Sequence, residues 1–150
     1  MEACREPAAR RSRSGSPSGL RILIIEDNDD GRETLRMLLE LFGHEVEVAS
    51  DGVEGVYKAL TWRPAVALVD VGLPVLDGYQ VARCIRGVLG RSIFLVAHTG
   101  YGQPEDRLRA LQAGFDAHLV KPVDWLELDS WLTEVAQSSG RAAVPAEACL

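Results

Sequence analysis

Apolar runs in this chain stop repeatedly on polar side chains that could do chemistry. RILII runs into Glu26-Asp27, VALV into Asp70, IFLV through Ala97 into His98-Thr99, and AHLV into Lys121-Pro122. Each group alone reads as strand-end punctuation or a helix cap. Together they amount to three carboxylates, a hydroxyl and a cation. Three carboxylates brought together repel unless they bind a cation or hold a proton. Magnesium answers that need, because it is a hard ion satisfied by a few carboxylate oxygens, a carbonyl and waters, with room left for a phosphate oxygen. Lys121 supplies a point charge for an anion and Thr99 a hydroxyl donor. The set describes a phosphoryl-transfer site, with Asp70 as the nucleophile that becomes an aspartyl phosphate. Gly72 then allows a tight turn whose backbone carbonyl faces the metal, and Pro74 stiffens the loop before Asp77-Gly78.

These residues need a scaffold that gathers strand ends. Apolar runs of strand length occur at RILII, VEVA, VALV, IFLV and AHLV, separated by stretches of helical spacing. Strand alternating with helix predicts a parallel sheet. The first helix is expected from about Asp29 to Phe42, with Leu35, Leu38, Leu39 and Phe42 on one face and Gly43 as its stop. The second begins near Asp51, where Asp51 and Glu54 have capping-box spacing, and is expected to bury Val53, Val56 and Leu60. A third follows Gly78, a fourth starts near Pro104 and a fifth opens at Asp124 with Glu127 three residues on. Five strands and five helices joined by short right-handed crossovers predict an α/β doubly wound, flavodoxin-like fold with strand order 2-1-3-4-5. Ligands of such sheets bind beyond the carboxyl ends of the strands where the order reverses, here between the first and third strands. Asp70 interrupts its apolar run because the strand delivers it there.

Length and composition bound the rest. The 150 residues suit one domain, and no apolar run is long enough for a membrane helix. The start has no apolar centre of a secretory signal, so a cytoplasmic protein without a membrane partner is expected. Residues 1–19, ending ARRSRSGSPSG, are rich in Arg, Ser, Pro and Gly and read as a disordered tail in preference to an organelle-targeting sequence; 138–150 reads similarly. The folded unit is placed at 20–137. The overall charge of -6 includes a +2 start and a neutral end, which leaves the body at -8. So acidic a body argues against nucleic acid as a partner. Cys4, Cys84 and Cys149 show no CxxC spacing, so neither a disulfide framework nor a zinc site is expected, and Cys84 reads as a small, partly buried helix residue.

From about Arg21 to Gln137 the sequence resembles the receiver domains of two-component response regulators. The resemblance rests on the acidic pair in IIEDN, on LVDVGLPVLDG, on the threonine of AHTGYG and on the lysine-proline of AGFDAHLVKP. It implies that Asp70 accepts phosphate from a histidine kinase or phosphotransfer protein, and that Glu26 and Asp27 help Asp70 and the Gly72 carbonyl hold Mg2+. It also implies that Thr99 and Lys121 bind the phosphoryl group and that the Lys121-Pro122 peptide is cis. Three residues before the lysine the family usually has Tyr or Phe as a rotameric switch coupled to the threonine. Here that position is His118, as in many receivers of hybrid kinases, which the AGFDAHLVKP stretch also looks like; the alternative for His118 is a half-exposed strand residue.

Six large apolar residues on the last helix, Trp125, Leu126, Leu128, Trp131, Leu132 and Val135, exceed one buried stripe. Either both tryptophans cover the core edge, or one marks a dimer or partner surface, which is where the family typically signals through its fourth helix, fifth strand and fifth helix. His44, in a turn, and His98, opposite Thr99 on its strand, are discounted as metal ligands. GYGQ after Thr99 lacks the spacing and lysine of a phosphate loop. With nothing after residue 137 to form an output domain, a stand-alone receiver that signals through another protein is expected; a phosphate sink or relay for a hybrid kinase is an alternative. The family of aspartate-nucleophile phosphatases has a second, general-acid carboxylate two residues after the nucleophile, where Gly72 stands here, so resemblance to that family fails and no turnover of an external substrate is expected. A phosphate-independent pseudo-receiver has no evident reason to keep Glu26, Asp27, Asp70, Thr99 and Lys121, and EDNDDG would repel the phosphate of a flavin.

Overall fold

The computed structural model describes residues 19–100 and 102–141. The first tail up to residue 18, Cys4, Tyr101 of GYGQ, and residues 142–150 with Cys149 lie outside the described residues. Strand β1 (Arg21–Ile25) leads into α1 (Asp29–Leu41), β2 (Glu45–Ala49) into α2 (Gly52–Trp62) and β3 (Val66–Asp70) into α3 (Gly78–Leu89). A 3-10 turn (Gly90–Ser92) precedes β4 (Phe94–Thr99), which is followed by α4 (Pro104–Ala113), β5 (Ala117–Val120) and α5 (Trp125–Arg141). Among the described residues the five strands are parallel in the order β2-β1-β3-β4-β5, as the alternation predicts. No helix among them is long and apolar enough to cross a membrane.

Pleating sorts the strand side chains into two cores. Leu23, Ile25, Ala67, Val69, Leu95 and Ala97 face α2, α3 and α4. Ile22, Ile24, Val66, Leu68, Val96 and Leu119 face α1 and α5, where they meet Leu35, Leu39, Leu128 and Leu132. The central strand β3 is buried at every position, which is why VALV is apolar without alternation. At the edge, β2 keeps Glu45 and Glu47 outward and buries Ala49.

Helix starts follow their caps. Asn28 accepts from the Gly31 amide and opens α1, Asp51 accepts from the Glu54 amide, and Asp77 and Gln80 form a reciprocal capping box at α3. Asp124 Oδ1 accepts from the Leu126 and Glu127 amides at the head of α5. At α2 the Glu54 carboxylate reaches back to the Ser50 amide rather than to that of Asp51.

Several expectations are corrected. Val53 is 62% exposed, because α2 turns Gly52, Gly55 and Ala59 to the sheet instead. A Cβ on Gly55 would stand 2.4 Å from Ile25 Cδ1, so that glycine is what lets α2 lie so close to β1. Phe42 falls just past the end of α1 and is 45% exposed, meeting the Trp125 ring edge-on. Cys84 is exposed, on the outer face of α3. Helix α5 runs beyond Gln137 to Arg141. Of its apolar residues, Leu128 and Leu132 are buried, Trp125, Trp131 and Val135 pack half-buried against the α1/α5 core, and Leu126 is 84% exposed.

Candidate functional site

The carboxyl ends of β1, β3, β4 and β5 bring the predicted chemistry together. Glu26 continues β1 and is buried, while Asp27 beside it is exposed. Asp70 closes β3 and Thr99 closes β4; both are buried. Carboxylate oxygens of Glu26, Asp27 and Asp70 all lie within 4.8 Å of one another. Oxygens that share one octahedral magnesium ion stand about 3.0 Å apart when adjacent and about 4.2 Å when opposite, given metal–oxygen distances of ~2.1 Å, so this cluster would have to draw in to share the ion. The donors are hard oxygens, as that ion requires.

Lys121 follows β5 through a cis Lys121-Pro122 peptide. Its Nζ lies 3.2 Å from Glu26 Oε1 and 3.6 Å from Asp70 Oδ1. One ammonium thus bridges two largely buried acids and offsets part of their repulsion. Glu26 Oε2 accepts from the Asn28 amide at 3.1 Å. Burial pushes the Glu26 carboxyl above its ordinary range, and the nearby Asp70 charge adds to that; the Asn28 amide and Lys121 oppose it. Asp70 Oδ1 accepts from the Gly72 amide at 3.1 Å, which fixes the carboxylate rotamer at the end of the strand.

In the loop after β3 the left-handed backbone falls on Val75, with φ 66°, and not on Gly72. The glycine that the site requires is Gly78, where a Cβ would lie 2.6 Å from the Asp70 carbonyl oxygen and from Val71 Cα. Helix α3 can therefore start directly against the strand that carries Asp70.

His118 sits in the middle of β5 paired with Ala97, two positions before the Thr99–Val120 pair. It is buried, not half-exposed, and neither ring nitrogen has a hydrogen-bond partner among the described residues. Burial, with Arg107 second, lowers its pKa, against Asp106 and Glu127. His44 is a satisfied core residue whose Nδ1 accepts from the Leu20 amide at 3.2 Å.

Two residues near the site were not anticipated. Arg32 donates to the Glu26 carbonyl at 2.9 Å and pairs with Asp29 at 2.6 Å, tying the first turn of α1 to the acidic loop. Its position one turn into the helix after EDNDD was the available signal. His98 does face away from Thr99, but that side of the sheet carries Glu26 and Lys121 too, so the imidazole borders the site from beneath.

Comparison with known proteins agrees with this geometry. The family model described as the response regulator receiver domain matches residues 22–133. The response regulator MprA of Mycobacterium tuberculosis is 38% identical over 109 residues, covering 73% of this chain and 47% of MprA; the chain thus spans about half the length of that relative. An uncharacterized 14.6 kDa protein of Leptolyngbya boryana is 37% identical over 71% of this chain and 82% of its own length. Among solved structures, the receiver domain of a sensor histidine kinase from Pseudomonas aeruginosa PAO1, with a magnesium ion coordinated in its active-site cleft, superposes with a TM-score of 0.73. It is 36% identical, and the match covers 80% of this chain and 99% of that one. The chemotaxis protein CheY4 of Vibrio cholerae gives a TM-score of 0.71 at 28% identity, over 77% of this chain and 97% of that one.

Proposed function

Because the chain belongs to the response regulator receiver domain family, we propose that it takes part in a two-component phosphorelay as the phosphoacceptor, with Asp70 receiving the phosphoryl group from a phosphohistidine of a kinase or phosphotransfer protein. The observation that carries this reading is the gathering of Glu26, Asp27 and Asp70 around one point, with Lys121 Nζ 3.6 Å from the acceptor carboxylate. An Asp70 oxygen forms the new O–P bond as the N–P bond of the donor breaks, and the donor imidazole leaves with the electron pair and takes up a proton. Glu26, Asp27 and Asp70, with the Gly72 carbonyl, would hold Mg2+, which would supply positive charge for the equatorial phosphoryl oxygens. Lys121 and Thr99 hold those oxygens from the other side. Lys121, which lies between the Glu26 and Asp70 carboxylates, is placed to turn to the phosphoryl group in this step.

The output is a population shift at the surface of β4, α4 and β5. Thr99 moves toward the phosphoryl group and the His118 ring follows, leaving a position where both of its nitrogens lack partners among the described residues. Leu108 and Leu111 are exposed on α4 and suit a protein partner or a second copy of the chain on the face formed by α4, β5 and α5. Turnover of an external substrate forms no part of this reading.

The test is intact mass after incubation with acetyl phosphate and Mg2+. A single phosphate-sized gain is expected, absent in Asp70→Asn and absent with a chelator. A gain that survives Asp70→Asn, or none in the wild type, would sink the phosphoacceptor reading.

A further inference from the structure

Of the three acids that meet at the strand ends, Asp27 is the one its surroundings hold least. Glu26 is buried, and its carboxylate is tied to Lys121 Nζ and to the Asn28 amide. Asp70 is buried and accepts from the Gly72 amide. Asp27 is exposed, and among the described residues no hydrogen bond or ion pair reaches its carboxylate. One of its oxygens nonetheless lies within 4.8 Å of an oxygen of each of the other two acids.

A side chain without contacts is aimed by its backbone. The Glu26 amide donates to the Ala49 carbonyl at 3.0 Å, which carries the ladder with β2 one residue further. The Glu26 carbonyl shares a rigid peptide plane with the Asp27 amide, so whatever holds that oxygen orients the Asp27 backbone. Arg32 holds it. One guanidinium nitrogen donates to the Glu26 carbonyl at 2.9 Å and another to Asp29 Oδ1 at 2.6 Å, and the side chain is only 13% exposed. Arg32 is itself anchored, because its amide closes the first turn of α1 on the Asn28 carbonyl at 2.9 Å and the Asn28 side chain caps that turn. The planar fork therefore grips the acidic loop at two points from the helix side, which a single ammonium does not reproduce.

We propose that Arg32 is a positioning residue for the divalent-cation site, holding the Glu26–Asp27 peptide so that the Asp27 carboxylate faces Glu26 and Asp70. It acts through Asp27 and not as a ligand. This role rests on Glu26, Asp27 and Asp70 holding Mg2+, as proposed for the phosphorelay. Charge alone predicts the opposite effect, since a guanidinium beside the acids opposes a second cation and its removal should favour Mg2+. Positioning and charge therefore separate cleanly only between proteins of equal net charge.

The experiment is a calorimetric titration of the full chain with Mg2+, in the wild type, in Arg32→Lys, and in the double variant Asp29→Asn with Arg32→Met, which removes one charge of each sign. The double variant should bind Mg2+ about tenfold more weakly, as loss of groups that orient metal ligands commonly does. Arg32→Lys, which keeps the charge but not the fork, should bind it several-fold more weakly. A metal-free readout comes from hydrogen exchange followed by NMR. The Asn28 amide, which donates to Glu26 Oε2, should exchange about tenfold faster in both variants while the amides of β3 keep their wild-type rates. Unchanged Mg2+ affinity in either variant overturns the proposal, as does an Asn28 amide that exchanges no faster. An equal rise across β3 overturns it too, because the loss is then one of general stability. A wild type that takes up no Mg2+ sinks the metal reading along with the role of Arg32, whereas normal wild-type binding with unaffected variants sinks the role of Arg32 alone.

Discussion

Removing the buried imidazole of His98 should make the protein more resistant to acid. Burial, and then the positive charge of Lys121, hold the His98 pKa down at about 4, against the partial opposing effect of Asp70. In the unfolded chain the ring titrates near ~6.5. Between those two values the unfolded chain carries the proton and the folded one does not, so each step toward lower pH favours unfolding. The gap is worth about 3 kcal/mol at ~1.4 kcal/mol per pH unit, developing as pH falls from ~6.5 and complete near 4. Above pH ~7 the ring is neutral in both states and contributes nothing to the slope. Urea unfolding followed by tryptophan fluorescence, in wild type and His98→Gln with a chelator present, measures this directly. From pH ~7.5 to ~4.5 the wild type should lose about 2 to 3 kcal/mol more than the variant. The carboxylates titrate in both proteins, so their contribution largely cancels in the difference. Parallel curves within ~0.5 kcal/mol, or a His98 ring resonance that titrates near 6.5 in the folded protein, would refute the assignment of a neutral, desolvated imidazole beneath the site.

Lys121→Met should raise Mg2+ affinity several-fold while slowing labelling by acetyl phosphate. The ammonium lies 3.2 Å from Glu26 and 3.6 Å from Asp70, and removing a like charge from beside the metal position is worth about 1 kcal/mol in a solvated cleft; calorimetric titration and intact mass give the two readouts. Gly78→Ala should destabilise by about 2 kcal/mol or more and slow Asp70 labelling, since a Cβ there meets backbone that cannot yield. Gly87→Ala, on the exposed face of α3 where a Cβ meets nothing within 4 Å, should instead stabilise by about 0.5–1 kcal/mol in the same urea titration.

What the sequence made legible follows from how strongly each feature is constrained. A residue at the end of an apolar run has its position set by the strand, so Glu26, Asp27, Asp70, Thr99 and Lys121 could be placed from the runs alone. The strand order followed because right-handed crossovers leave few alternatives. Helix faces were read less well, because apolar spacing cannot tell a large side chain that packs from a small one that permits approach. In α2 the glycines hold the buried face and Val53 is left outside. The same blindness passed over Gly78, whose role depends on the distance between α3 and the end of β3. Glycine 72 looked the better candidate only because it is nearer to Asp70 in sequence.

His98 marks where strand parity stops being informative. Alternation correctly turned it away from Thr99, but facing away from Thr99 does not take it away from the site. Glu26 lies two residues past Ile24, and Lys121 two past Leu119, so both share the parity of the α1/α5 core, as His98 does through Val96. Three strands therefore end with a titratable group on one side of the sheet, and Asp70, two past Leu68, makes a fourth. The acids and the lysine satisfy one another across the cleft, whereas the imidazole beneath them has a nitrogen without a hydrogen-bond partner among the described residues. A histidine held neutral at that point keeps a second positive charge away from the cluster of Glu26, Asp27 and Asp70. Removing the ring and replacing it by a fixed cation should thus differ in their effect on Mg2+ affinity. His98→Gln leaves it nearly unchanged and His98→Lys lowers it, and equal effects of the two substitutions would show that the imidazole acts through packing alone.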